Sequence, residues 1–375
     1  MVITLAFKNL VHDRTRLALT LLGISISIVL IGAQMGLMLG FSRMISGVLD
    51  HAKVDLWVVP AGTAAFDDPA LLDMSERYSA LAVSGVESVT PIIVGFAEWR
   101  RSGGGTATVI VVGSDPEAGT LSPWNVSMGS ASKLRTLETV AVDQAYTHGL
   151  GIAHIGDEAR IEGKIARVGA ITTGIRSFTT SPYVFTSLDQ ARDYLSIPSG
   201  RTTYLAIQLA AGAGVEAVRN RLAARVKRAE VLTTAQFRER NFDRWMFSTG
   251  AGAALLSGII LGLIVGSFIV AQTLYASIND HLKEFATLRA MGSSKGLLRN
   301  VIFCQAGLSA AFAACVAASG VALLVFVTAG SALPIVMTPL LAALLLVLSL
   351  GMSIAAAAMT VAKVTRIQPV TVFAR

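Results

Sequence analysis

Residues 300–362 read NVIFCQAGLSAAFAACVAASGVALLVFVTAGSALPIVMTPLLAALLLVLSLGMSIAAAAMTVA, 63 residues without one Asp, Glu, Lys or Arg. As a single helix this stretch would run to roughly 95 Å, three times a hydrocarbon core of about 30 Å. It therefore folds back on itself, and Gly330, Pro334 and Pro339 mark the turn. Residues 17–42 and 245–279 are equally free of charge. Each is long enough to cross a bilayer once, which takes about 20 apolar residues. Between them lies a polar segment of about 200 residues. The expected architecture is an α-helical membrane protein with four transmembrane helices (1+3) and an α+β extracytoplasmic domain inserted between the first and second.

Composition agrees. The chain is 53% hydrophobic and 15% charged, with a mean hydropathy of +0.62, which does not suit a water-exposed surface. The net charge of +7 is scattered, with short clusters at the membrane ends of the spans and in Arg219–Arg228. No basic stripe interleaved with aromatics is present, so nucleic acid is not an expected partner. The two cysteines, Cys304 and Cys315, both fall in the third charge-free stretch and read as small, buried apolar side chains. The first apolar run follows Lys8, Arg14 and Arg16 as a secretory signal would. It exceeds a signal's 7–15 apolar residues and has no clear small-x-small site, so a retained span is expected.

Basic residues in short loops orient the spans. Segment 1–16 carries Lys8, Arg14 and Arg16; segment 280–299 carries Lys283, Arg289, Lys295 and Arg299; the tail carries Lys363, Arg366 and Arg375. The turn near 329–339 has no charge. Both termini and segment 280–299 are therefore expected in the cytoplasm, and residues 43–244 outside. The resulting division is 1–16 cytoplasmic interfacial helix, 17–42 first span, 43–244 outer domain, 245–279 second span, 280–299 cytoplasmic loop, 300–329 third span, 335–362 fourth span and 363–375 tail. Within residues 2–16, Ile3, Phe7 and Leu10 share an arc opposite Lys8, Asn9 and His12. This suits either an interfacial helix or a plain leader into the first span.

In the outer domain, Val54–Val59, Val89–Val94, Ala107–Val112, Ala166–Ile171 and Tyr204–Leu209 have the β-branched, turn-bounded signature of strands. Leu71–Leu81, Leu188–Leu195 and Glu216–Lys227 read as helices. Tyr204–Leu209, Val215–Val226 and Glu230–Leu232 together suggest a β-α-β unit, and Gly103-Gly104-Gly105 a hairpin tip.

Catalytic signatures are absent from the sequence. It has no Gly-x4-Gly-Lys-Ser/Thr phosphate loop, and Gly113-Ser114-Asp115 lacks the frame of a nucleophile elbow. His148 and His154, near Asp143 and Asp157, do not have the spacing of a helical ligand pair, so no metal is expected. The spans lack ionisable groups, which argues against proton or ion coupling; their polar residues are Gln34, Gln272, Gln305 and scattered Ser and Thr. Gly32, Gly36 and Gly40, and again Gly258, Gly262 and Gly266, recur every four residues. That spacing lines one helix face for close packing and suggests that the first two spans pack tightly, within the chain or across a dimer.

Residues 279–294 read NDHLKEFATLRAMGSS. Gly292 would end a short helix and Ser293-Ser294 would cap the next. Leu282, Phe285 and Ala286 fall on one side, with Leu288 and Met291 roughly opposite. From the residues alone this is either an interfacial turn or a helix buried on both sides, one against the bundle and one against a cytoplasmic partner.

Glu284-Phe285-Ala286-Thr287-Leu288-Arg289-Ala290-Met291-Gly292 closely resembles the signature of MacB/FtsX-type ABC transporter permeases, which include the DevC and lipoprotein-releasing branches. The opening is similar to the family's first helix at Ala6, Asn9, Leu10, Arg14, Arg16, Leu19-Thr20-Leu21 and Gly23-Ile24. Arg366-Ile367 and Pro369-Val370 resemble its closing segment. Asp55-Leu56-Trp57-Val58 leans toward the DevC-like branch. The resemblance implies a non-catalytic permease, working as a homodimer in the bacterial inner membrane. It would bind no cofactor itself, while a separate ATPase binds ATP and Mg. The 280–292 segment becomes a coupling helix, with Leu282, Glu284, Phe285, Leu288, Arg289 and Gly292 as ATPase-coupling positions. The implied function is mechanotransmission that drives export or extraction of a lipid-like or hydrophobic substrate, with membrane lipids and a periplasmic adaptor as further partners. The alternatives are an FtsX-type regulator of a cell-wall hydrolase and, from another class, an ATP-independent sensor or anchor.

Overall fold

The structure is a computed structural model that describes Phe7 and residues 14–280, 295–331 and 333–364. It divides into two compact units, one membrane-helical and one extramembrane, the latter comprising residues 41–252 and 330–333.

Among the described residues, four helices are long and apolar enough to cross a membrane. These are α1 (Arg14–His51), α6 (Ala251–Asp280), α7 (Lys295–Thr328) and α8 (Pro339–Val364). Their core gathers Ile24, Ile28 and Ile31 of α1, Val270 of α6, Ile302, Ala306 and Ala313 of α7, and Met352 and Ala356 of α8. The many alanines keep these helices thin, so dispersion contacts between closely approaching backbones hold them together in lipid. Cys304 is half-buried and Cys315 exposed, so neither sits in the apolar interior expected from the sequence.

Helix α1 has 38 residues, roughly 57 Å at 1.5 Å per residue, well beyond a bilayer core. Its last turns, from Phe41 onward, lie in the extramembrane unit, where Val48 and Leu49 are buried. The charge-free stretch from 245 also does more than span. Residues Arg244–Ser248 form a π-turn, Gly250 takes a left-handed φ of +79° that glycine adopts without strain, and the spanning helix begins only at Ala251.

The extramembrane unit is α+β. Its first layer has β12 (Ala229–Thr233), β1 (Leu56–Pro60), β11 (Tyr204–Leu209) and the first half of β3 (Val86–Arg101), in that order. β1 is antiparallel to both neighbours. The expected β-α-β unit is therefore present, with β1 lying between its two parallel strands. Alternation sorts the sheet's faces. Leu56, Val58, Leu205 and Ile207 pack against α2 (Ser75–Leu81) and α4 (Val215–Arg225). Trp57, Val59, Tyr204 and Ala206 cluster with Val48 and Leu49 of α1 and with Phe237 of α5 (Thr234–Asp243). A capping box of Thr233 and Gln236 fixes the start of α5.

The second half of β3 enters a second lobe. It pairs with β4 (Thr106–Ser114) and with β7 (Glu158–Ile161). β4 pairs with β9 (Tyr183–Ser187), β9 with β6 (Thr139–Asp143), β6 with β8 (Lys164–Thr172), and β8 with β7. Six strands thus close into a ring. All six contribute to one apolar cluster, including Trp99, Val111, Val184, Val142, Val168 and Ile161. α3 (Leu188–Tyr194) packs into the same cluster through Ala191 and Tyr194. β5 (Val126–Gly129) pairs with Ala170–Thr172 of β8, beyond the stretch Lys164–Arg167 that β7 covers.

The tip between β3 and β4 is the expected glycine turn, with Gly104 and Gly105 at φ of +91° and +87°. One expected helix is shorter. Leu72–Asp73 form β2, paired with β10 (Arg201–Thr202). The Asp73 carboxylate accepts from the Ser75 N–H at 2.9 Å, so α2 starts only at Ser75.

Candidate functional site

Close backbone approach organises the helix bundle. On α6, a Cβ at Gly258 would meet the Gln34 side chain at 2.8 Å, at Gly262 Ile31 at 2.7 Å, and at Gly266 both Ser27 at 2.9 Å and, closer still, Met352 of α8. Its glycine stripe therefore lies against α1, within one chain. The α1 stripe does not face it in return. Gly32 meets Leu345 and Val321, Gly36 meets Ile335, and Gly40 meets the Pro334 carbonyl. Gly36 also accepts a hydrogen bond from the Val336 N–H at 3.1 Å. The face of α1 toward α6 is Gly23, Ser27, Ile31 and Gln34. One residue turns a helix by about 100°, so the 32/36/40 stripe points instead at α7, α8 and their connection. The two glycine runs thus serve two different interfaces.

The bundle's polar groups are sparse; Ser257, Gln272 and Ser319 are exposed, and others are buried. Ser25 Oγ donates to the Ala313 carbonyl at 3.0 Å, tying α1 to α7. Gln305, Ser309 and Ser353 are almost fully buried. Two apolar grooves, about 700 Å³ between α1 and α7 and about 580 Å³ between α7 and α8, carry no ionisable side chain among their lining residues.

Within the extramembrane unit, the two chain segments leading to the helices are fastened side by side. Asn241 Nδ2 donates to the Ile45 carbonyl of α1 at 2.6 Å, and its Oδ1 accepts from the Phe66 N–H at 3.0 Å. Arg238 pairs with Asp50 at 3.1 Å, and His51 stacks on Trp124 with ring centres 4.1 Å apart. Phe178, in the loop between β8 and β9, touches both segments. Its ring lies 5.0 Å from Phe41 of α1 and 5.3 Å from Trp245 of the π-turn. Trp245 Nε1 in turn donates to Asp67 Oδ1 at 2.9 Å. The sequence reading did not single out Phe41, Phe178, Trp245 or Asp67. The one available signal was a lone Phe in the polar run TTGIRSFTTS (172–181).

Burial raises the Asp67 pKa above its ordinary 3.8, outweighing the lowering by the Trp245 hydrogen bond. A carboxyl with a raised folded pKa binds its proton more tightly folded than unfolded. Its ionisation therefore destabilises the fold as pH climbs from about 3.8 through the raised value. Asp67→Asn keeps an oxygen to accept from Trp245 and removes the charge. We expect it to raise the melting temperature at pH 7–8, with the gain shrinking toward pH 4. Melting curves of both proteins across this range check the sign; a gain that grows on acidification would contradict it.

The other titratable candidates have structural work. Asp143 accepts from the Ala145 and Ile175 N–H groups, and Asp157 from those of Ala153 and His154. Among the described residues no group of three His, Cys, Asp or Glu is placed to hold a metal. A cavity of about 210 Å³ beside Ser114, Thr186 and Arg135 has no acid, histidine or thiol among its lining residues. Leu282, Glu284, Phe285, Leu288, Arg289 and Gly292 fall between Asp280, where α6 ends, and Lys295, where α7 begins. They lie outside the described residues, as do most of segment 1–13 and the tail from 365.

Residues 17–225 match the family model of the MacB-like periplasmic core domain, and residues 256–369 that of the FtsX-like permease C-terminal region. The chain belongs to the MacB/FtsX-type ABC permeases. Like other MacB/FtsX-type permeases it is a multi-pass membrane protein, with its α+β domain outside the membrane between the first and second of four helices. Among solved structures, it is similar to the periplasmic region of MacB from Actinobacillus actinomycetemcomitans, at 10% identity over 50% of this chain and 92% of that one, with a TM-score of 0.39. It is also similar to the extracellular domain of the noncanonic ABC-type transporter YknZ from Gram-positive bacteria, at 10% identity over 48% and 98%, with a TM-score of 0.35. No curated protein matches this permease. The FtsX-like match spans the whole segment from 279 to 294.

Proposed function

We propose that this permease is the non-catalytic membrane subunit of an ABC system and transmits the motion of a separate ATPase to its outer domain. The observation that carries this reading is α1. One unbroken helix supplies Ile24, Ile28 and Ile31 to the bundle core and Val48 and Leu49 to the domain core. A helix hydrogen-bonded along its length moves as a rod, and the spans offer no ionisable relay.

In this reading two copies form a homodimer in the bacterial inner membrane, with both termini and residues 280–299 in the cytoplasm. Each copy docks an ATPase that binds ATP and Mg. Glu284 and Arg289 supply charge to that contact, Leu282, Phe285 and Leu288 its apolar knobs, and Gly292 the turn. Closure of the ATPases would draw these segments together and move the outer domains, handing a lipid-like or hydrophobic substrate to a periplasmic adaptor.

The test is co-purification from native membranes of the wild type beside Glu284→Lys/Phe285→Ala. Loss of interface anchors worth about 2 kcal/mol weakens a complex about 30-fold. An ATPase should therefore accompany the wild type and be lost from the variant. If no ATPase accompanies the wild type while the protein stays folded, the sensor reading replaces this one.

A further inference from the structure

The segment Arg219–Arg228 carries five basic residues and no acid, and the coupling scheme above makes no use of it. Residues 43–244 as a whole hold 21 acidic and 21 basic residues, so this concentration is local. Arg219 is occupied, by Glu216 at 2.8 Å and by Gln236. Arg221, Arg225 and Lys227 are exposed, and none takes part in a salt bridge among the described residues. Arg225 Nη1 reaches the Ala82 carbonyl at 3.4 Å, and Arg221 lies beside Gly85, so both guanidinium groups lean over the C-terminal end of α2. The Lys227 N–H donates to Glu76 at the other end of α2.

Helix α2, which these basic residues flank, also exposes apolar groups. Tyr78 is 69% and Leu81 42% exposed, one turn apart. Arginine and tyrosine are enriched at the centres of protein interfaces, and the exposed leucine adds apolar area. The surface also lies on the sheet face opposite Val48, Leu49 and Phe237, which belong to the segments leading to the spans. The exposed Tyr78 and Leu81 beside this charge suit a protein surface, which brings apolar contact of its own, better than a lipid headgroup, which is polar throughout.

We propose that the α2–α4 face, centred on Tyr78, Leu81, Arg221, Arg225 and Lys227, docks an acidic protein surface outside the membrane. Desolvated guanidinium–carboxylate pairs around an apolar centre would fix the register, and long-range attraction would speed encounter. All of these residues belong to the outer domain, so this contact is independent of the ATPase scheme.

The experiment places the photoreactive residue benzoylphenylalanine at position 78 of the full chain in its native membrane. Adducts formed on irradiation are identified by the peptides they carry. The expected result is an adduct to a peptide of another protein, with net negative charge around the attachment point. Its yield should fall at least about five-fold with Arg221→Glu/Arg225→Glu and survive Arg221→Lys/Arg225→Lys. An adduct to lipid, to a second copy of this chain or to a neutral or basic peptide would overturn the proposal, as would no adduct, or a yield indifferent to charge reversal. Both double variants alter exposed side chains, so their melting temperatures should match the wild type. ATPase co-purification should also be unchanged, so failure here is distinguishable from failure of the coupling scheme.

Discussion

Trp57→Ala is expected to melt the outer domain about 6–20 °C below the wild type. Trp57 has no exposed surface and sits on β1, between β11 and β12. Its ring packs edge-on against Phe66, Tyr204 and Phe237 at centroid distances of 6.1, 6.3 and 5.7 Å. Its Nε1 donates to Thr234 Oγ1 at 3.1 Å, and that hydroxyl donates to the Val54 carbonyl at 2.6 Å. Truncation removes the ring, leaves a cavity among three aromatics and strips Thr234 of one partner. Buried Trp-to-Ala changes cost about 3–5 kcal/mol, a large share of the about 5–15 kcal/mol that holds a domain folded. Trp57→Phe, which keeps most of the volume, should lose markedly less. A thermal melt of the full chain in detergent decides it; a shift within about 2 °C would mean the cluster contributes little.

Gly36→Val should prevent the helix bundle from forming its native packing. A Cβ at Gly36 would lie 2.5 Å from Ile335 Cγ2 and 3.2 Å from the Val336 carbonyl. The Gly36 carbonyl itself accepts from the Val336 N–H, so the two backbones cannot separate without losing that bond. Overpacking costs about 1–3 kcal/mol, and more when backbone must move. In lipid there is little hydrophobic gain to offset a lost close contact. Gly351→Val is the matched control, because nothing lies within 4 Å of its added carbon and both changes put the same β-branched residue into a helix. Expected is a much lower yield of monodisperse, thermally stable protein for Gly36→Val alone. Equal behaviour of the two variants would remove the argument.

Charge patterning made the spans legible, because a charged side chain inside hydrocarbon is expensive enough to leave an unmistakable gap. The long strands β3, β4, β8 and β11 were legible from β-branched runs for a related reason, being buried on at least one face. β6 and β9 (TVAVD and YVFTS) were not, although each is as long as β1; they become strands through their neighbours in the ring. The start of the second span was misplaced because absence of charge does not distinguish lipid from a protein core. Trp245 and Met246 are apolar on account of the outer domain. The glycine runs revealed close packing but not its partner, which depends on a rotation of about 100° per residue that composition does not encode. The Phe41–Phe178–Trp245–Asp67 chain joins residues far apart in sequence and leaves no local pattern.

The position of β1 has a consequence for how the domain is made. β1 leaves the membrane first, yet its two neighbours, β11 and β12, follow about 150 and 170 residues later, separations that slow folding. At a synthesis rate of 5–20 residues per second the wait is roughly 10–30 s. During that time Leu56-Trp57-Val58-Val59 has neither partner strand to cover it. The ring, complete once Ser187 has emerged, can close roughly 1–10 s before those neighbours are finished. Assembly therefore runs from the second lobe back toward the first-made strand, and the four-stranded layer is sealed only when its earliest segment meets its last.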